Sequence, residues 1–169
     1  MRVLVLLVLL AALFPAVLFP AAGIGEGRPP DLYFSYSPDQ VYRYLDELGA
    51  KGRMAYARME LTTDLLFPVV YSLALTVALV IAARSIRLAT SWLQLLRFFP
   101  MLIVIADWGE NLSLARVIHA YPDQPDALVA MASLFTSLKW ISLALAVIAL
   151  VALGAMTVAS HYWARSARR

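Results

Sequence analysis

The sequence predicts an all-α fold: a polytopic membrane protein of four transmembrane helices in one bundle, with an amphipathic helix in the outer first loop. Three observations carry this expectation. Of the 169 residues, 62% are hydrophobic and 15% charged, with a mean hydropathy of +0.76. A soluble domain is nearer to about 45–50% apolar and about 25% charged. Apolar runs recur at 3–22, 61–83, 98–118 and 127–150, each near the ~20 residues that carry a helix across a ~30 Å hydrocarbon layer. Finally, arginines gather in a short connector (Arg84, Arg87, Arg97) and at the C-terminus (Arg165, Arg168, Arg169), the distribution that sets membrane orientation.

The length suits one membrane domain, 1–169, and no second one. Cysteine is absent, which excludes disulfides, thiolate metal sites and a Cys nucleophile. The net charge of +3 comes from arginines near the expected membrane borders, so it reads as topology rather than as a nucleic-acid footprint. The implied partners are the lipid bilayer and a membrane-protein partner or lipid-like ligand. Nucleic acid, a cofactor and a metal are not implied.

The first run, Val3 to Ala22, is interrupted only by Pro15 and Pro20. It exceeds the about 7–15 residues of a signal-peptide core, so it reads as an uncleaved signal-anchor. The small residues Ala21-Ala22-Gly23 leave cleavage as the other reading. Both place the next segment outside.

That segment, Gly23 to Thr63, is the one long polar stretch, and Gly25 to Pro30 cannot be regular structure. Ser37-Pro38-Asp39-Gln40 then has the form of a helix start, with Ser37 as N-cap, Pro38 first and Gln40 closing a capping box. Val41, Tyr44, Leu45 and Leu48 follow on one face up to Gly49, a natural stop, predicting a helix over 38–48 that lies on the membrane surface or caps the bundle mouth. After Gly52, Arg53 to Glu60 leads towards the second span. A packed connector is the plainer reading of this loop, a lid the sharper one.

In the second span Asp64, Pro68, Tyr71 and Leu75 share a face. Pro68 has no N–H to give the Asp64 carbonyl, and in lipid a carbonyl so released must find another partner. The third span holds Asp107, Glu110 and Asn111 at i, i+3, i+4 spacing, hence on one side of a helix. A mid-membrane charge costs roughly 2.5–3.5 kcal/mol, while each large apolar residue contributes about 0.3–0.6. Roughly ten apolar residues thus supply about 3–6 kcal/mol against about 5–7 for two carboxylates, so this segment inserts poorly alone. The fourth span stays apolar to about Ser160, too long for one untilted crossing. Its small residues, among them Ala146, Gly154 and Ala155, permit close helix packing. Short-loop arginines put both termini in the cytoplasm, as a multi-pass protein of the cell membrane (the inner membrane in a bacterium).

With this topology Asp107, Glu110 and Lys139 share the middle third of the hydrocarbon layer, about 14–18 Å from their helix ends. Asp64 and Tyr71 come from the outer half of the second span. The candidate cluster is therefore Asp64, Tyr71, Asp107, Glu110, Asn111 and Lys139, with Thr136 and Ser142 adjoining Lys139. Three acids facing one base imply a bound proton or cation. Three readings follow: a scaffold network with Lys139 paired to Asp107 or Glu110; a binding module for a cation, a lipid headgroup or a partner subunit; and an intramembrane enzyme acting on a lipid-like substrate with a carboxylate general base. The acid surplus favours the second over the first. Against the third, His119 and His161 lie near opposite faces, so a Ser-His-Asp or zinc site lacks its base or ligand. No catalytic residue is assigned.

Ser37-Pro38, Tyr44-Leu45, Leu48-Gly49, Gly52-Arg53 and Tyr56, then Asp64 to Pro68 with Tyr71, then Asp107, Glu110-Asn111, Tyr121-Pro122 and Lys139-Trp140 together resemble an uncharacterised group of small bacterial four-helix integral membrane proteins. The resemblance spans most of the chain after the first helix and is specific as a combination. It carries no activity across; it implies that these polar residues form one recurring set. Of the tryptophans, Trp92 and Trp163 suit interfacial anchoring, whereas Trp108 and Trp140 suit packing. Gly109 suits a close helix contact.

Overall fold

In the computed structural model, which describes residues 1–24 and 27–166, the chain is helical, with no strand among those residues. Helix α1 spans Arg2–Ala21. Its ladder loosens into a π turn at Phe14–Leu18, where Pro15 and Pro20 supply no N–H and Phe19 bonds back to the Phe14 carbonyl. It packs chiefly on one neighbour, and its Val3, Leu6 and Leu9 stay exposed. Gly25 and Glu26, and the C-terminal Arg168 and Arg169 counted as topology signals, lie outside the described residues.

Helix α2 is Pro38–Glu60, and its start has the expected capping box. The Gln40 N–H donates to Ser37 Oγ (3.3 Å) and the Ser37 N–H to Gln40 Oε1 (2.8 Å). Gly49, expected to end this helix, bends it instead. Its φ of 61° and ψ of 178° are a combination that essentially only glycine adopts. Arg53 reaches back across the bend to the Leu45 carbonyl (2.9 Å). Val41 and Leu45 are fully buried and Leu48 half-buried, whereas Asp39, Arg43, Asp46 and Glu47 are exposed.

A break at Thr62 (φ −130°, ψ −82°) separates α2 from α3, Thr63–Ser85. The connector that follows contains a helix the sequence did not announce, α4 (Thr90–Leu96), before α5 (Phe98–Ala120). Helix α6, Asp126–Ser166, has 41 residues and, at about 1.5 Å per residue, runs about 60 Å, well beyond a hydrocarbon layer.

Among the described residues, three helices are long and apolar enough to cross a membrane: α1, the α3 part of Pro38–Ser85, and α6 over Asp126–Ser160. Helix α5 is as long as α3 but does not join them, because Asp107, Glu110, Asn111 and Arg116 interrupt its apolar character. Of the four expected spans, three thus have the length and apolarity of a membrane crossing among the described residues, and α5 falls short by composition, as its poor insertion alone implied.

Helices α5 and α6 form the central antiparallel pair, α3 lies against both, and α2 packs on the end where α5 finishes and α6 begins. A Cβ at Gly109 would stand 2.8 Å from the Phe135 ring, the close α5–α6 contact that a glycine there suggested. One apolar core joins Val41, Leu45 and Tyr56 to Leu114, Val117 and Val129; a smaller one joins Leu79, Ala83 and Leu153. Along α6, Lys139 lies between Val129 and Ala132 of the first core and Ala149 and Leu153 of the second.

Candidate ligand site

On α5, the three- and four-residue spacing turns Asp107, Glu110 and Asn111 inwards, with relative exposures of 3%, 0% and 0%. Lys139 of α6 meets this face: its Nζ lies 2.5 Å from Glu110 Oε2 and 3.8 Å from Asp107 Oδ2. The Tyr71 hydroxyl of α3 donates to the same Asp107 oxygen at 3.1 Å. The other Glu110 oxygen accepts from Thr136 and, at 3.3 Å, from Tyr36. Glu110 is thus held by a cation and two hydroxyls, the satisfaction a buried carboxylate requires.

Asn111 resolves the backbone problem created by Pro68: its Nδ2 donates to the Asp64 carbonyl at 3.0 Å. One turn away Trp108 Nε1 donates to the Leu65 carbonyl at 2.9 Å, so Trp108 does more than pack. The structure therefore brings all six candidate residues, Asp64, Tyr71, Asp107, Glu110, Asn111 and Lys139, into one region between α3, α5 and α6.

Other members were not recognised from the sequence. The loop before α2 does not stay at the bundle mouth; it descends along α6. The Tyr36 N–H donates to Ser133 Oγ (2.9 Å) and Ser137 Oγ donates to the Phe34 carbonyl (3.0 Å). These serines stand about 10–16 Å along the axis from the start of α6, and they satisfy loop backbone groups that would otherwise be stranded. This descent brings in Tyr36 and Asp31. Burial, followed by the nearby Glu110 carboxylate, raises the Tyr36 phenol above its ordinary range, so it remains a donor. Asp31 is half-buried as a residue but turns its carboxyl to the hydroxyl of fully buried Tyr56 (3.4 Å). Burial raises the pKa of that carboxyl, against the lowering field of Lys139. Glu60 has no exposure, and neither carboxyl oxygen lies within hydrogen-bond geometry of a donor among the described residues. A signal for it existed: Tyr56, Glu60 and Asp64 follow at four-residue intervals. For Asp31 and Tyr36 the sequence carries none.

Beside the cluster lies a cavity of about 480 Å³. Its polar lining includes Asp31, Asp64, Asp107 and Lys139, and its walls include Phe19, Ile24, Leu32, Phe67, Trp140 and Leu143. Glu110, the nearest partner of Lys139, is not a lining residue. Among the described residues, two polar atoms of lining residues are buried without a hydrogen bond: Asp107 Oδ1, an acceptor, and Trp140 Nε1, a donor. Among the described residues, no group of three or more His, Asp or Glu is placed to hold a metal ion.

Comparison with protein-family models, curated proteins and solved structures finds no match for this chain. What the arrangement can do chemically follows from its own composition: an apolar chamber with an acidic, hydrogen-bonding floor, one of whose acceptors is unused.

Proposed function

We propose that this protein is a four-span membrane protein with both termini in the cytoplasm, and that it serves as an intramembrane binding module for a lipid-like amphiphile. Helix α5 is the fourth span, inserted because Lys139, Tyr71 and Thr136 receive its carboxylates when it packs against α3 and α6. The observation carrying the binding reading is the cavity: about 480 Å³ lies within the about 300–1,000 Å³ of small-molecule sites, which are mostly apolar with a few converging polar groups. A scaffold network alone accounts for the Lys139–Glu110 pair but gives no reason for the chamber, or for an Asp107 oxygen buried beside it without a partner.

The test is native mass spectrometry of the detergent-purified protein, comparing wild type with Leu143→Trp, which fills the cavity from its wall. Wild type is expected to carry a lipid-sized adduct that the filled variant lacks. Identical adducts, or none in either protein, would overturn the binding reading and leave the scaffold.

A further inference from the structure

We infer that the head group taken by this cavity is cationic, an ammonium carried on an apolar chain; this rests on the binding reading above. Among the described residues, three carboxyl residues line the chamber, Asp31, Asp64 and Asp107, against the single lining cation Lys139. That cation is already engaged outside the chamber by Glu110 at 2.5 Å and reaches Asp107 only at 3.8 Å. Asp64 is 6% exposed, and no Lys, Arg or His nitrogen lies within ion-pair distance of its carboxyl among the described residues.

A cluster of acids could merely hold protons, but a second observation points outward to a ligand. Asp107, 3% exposed, has spent Oδ2 on Tyr71 and Lys139, while its Oδ1 is buried with no hydrogen bond among the described residues. The positive charge of an ammonium seated in the cavity would compensate it. An anionic head would meet three carboxyls, and an alcohol would leave their charge uncompensated.

The walls agree with this chemistry. Phe19, Phe67 and Tyr71 form a chain of rings with centroids 5.3 and 4.9 Å apart, and all three line the cavity. Aromatic faces beside carboxylates are a recurrent surround for substituted ammonium groups. Ile24, Leu32 and Leu143 continue the wall without polar atoms in their side chains, which suits an alkyl chain rather than a free amine.

The absence of native cysteine makes a clean test available. Leu143→Cys in the full-length protein places one thiol on the cavity wall, and its maleimide labelling rate reports occupancy. Four probes are compared in a neutral detergent: dodecyltrimethylammonium, dodecanol, dodecanoate and tetramethylammonium. The expected result is protection by dodecyltrimethylammonium at concentrations at least about tenfold below the other three. Asp64→Asn and, separately, Asp107→Asn should each remove most of that advantage while eluting as a single folded species; two isosteric variants guard against one failing to fold. Equal protection by the three twelve-carbon probes would overturn the cationic head while leaving the binding reading intact. Equal protection by tetramethylammonium would overturn the chain-bearing ligand. Protection by none would overturn both this inference and the binding reading it rests on.

Discussion

Replacing Lys139 by alanine removes the one ammonium of the cluster and leaves Glu110 and Asp107 where they are. Glu110 keeps the hydroxyls of Thr136 and Tyr36 but loses a partner at 2.5 Å, and Asp107 keeps only Tyr71. Both residues are at least 97% buried. Breaking one side of a buried pair costs about 3–5 kcal/mol, most of it the penalty of the stranded charge. That is a loss of about two to four powers of ten in the folding equilibrium, a large share of the about 5–15 kcal/mol that holds a typical domain. The assay is folded yield and thermal midpoint by size-exclusion chromatography of detergent-solubilised protein. Lys139→Ala should lose most of its folded peak. Lys139→Met combined with Glu110→Gln or Asp107→Asn should recover much of it, because no charge is then stranded. If Lys139→Ala folds as well as wild type, the pair contributes nothing and the account of how α5 is held inside the bundle is wrong. The double variants also separate the two leading readings. Recovered fold with unchanged ligand binding means that the Lys139 pair only holds the helices together, and recovered fold with lost binding means that it belongs to a working site.

Other expectations are as direct. Reporter fusions after Gly49, Arg87, Gln124 and Arg169 should read outside, inside, outside, inside; an inside signal after Gly49 would reverse the proposed orientation. Gly52→Ala should destabilise by about 1–3 kcal/mol, because its Cβ would stand 2.8 Å from the Ile24 backbone carbonyl, whereas Gly109→Ala should cost less. There the obstacle is the far edge of the Phe135 ring, and alanine recovers about 1 kcal/mol of helix propensity. Thermal melts of both variants check the order, and a larger loss at Gly109 would contradict it. Asp31 supplies a pH signature. Burial raises its carboxyl above the ordinary 3.8, against Lys139, the Tyr56 hydroxyl and Arg28, which lower it. The folded state therefore holds this proton more tightly than the unfolded state, and the Asp31 contribution to stability falls as pH rises through that window. Melts from about pH 4 to about pH 7 should show Asp31→Asn gaining on wild type as pH rises; a constant gap would remove Asp31 from the buried cluster.

Much of the helical layout was legible in the chain because it depends on near neighbours. Apolar runs located α1, α3 and α6, and the Ser37–Gln40 signature located the start of α2 almost to the residue. The six polar candidates were legible for a related reason. Polar side chains inside apolar runs are expensive wherever those runs pack, so their presence marks an internal face, and the Pro68 vacancy announced a carbonyl in need of a donor. Gly49 shows where local reasoning stops. Its left-handed conformation could be anticipated, but whether the chain ends or bends there depends on what α2 packs against.

The tertiary structure alone decided which donor reaches the Asp64 carbonyl, which carboxylate sits closest to Lys139, and that the first loop descends along α6 to deliver Asp31 and Tyr36. It also decided that Glu60 is fully enclosed and that a chamber opens beside Asp107 and Trp140. These facts depend on contacts between residues as many as 103 positions apart, where no periodicity operates. Propensity and hydropathy act over a few residues and set which segments are helical and which faces are apolar. The rotation and depth of one helix against another follow from packing of whole faces, and a cavity is the part of that packing which no side chain fills.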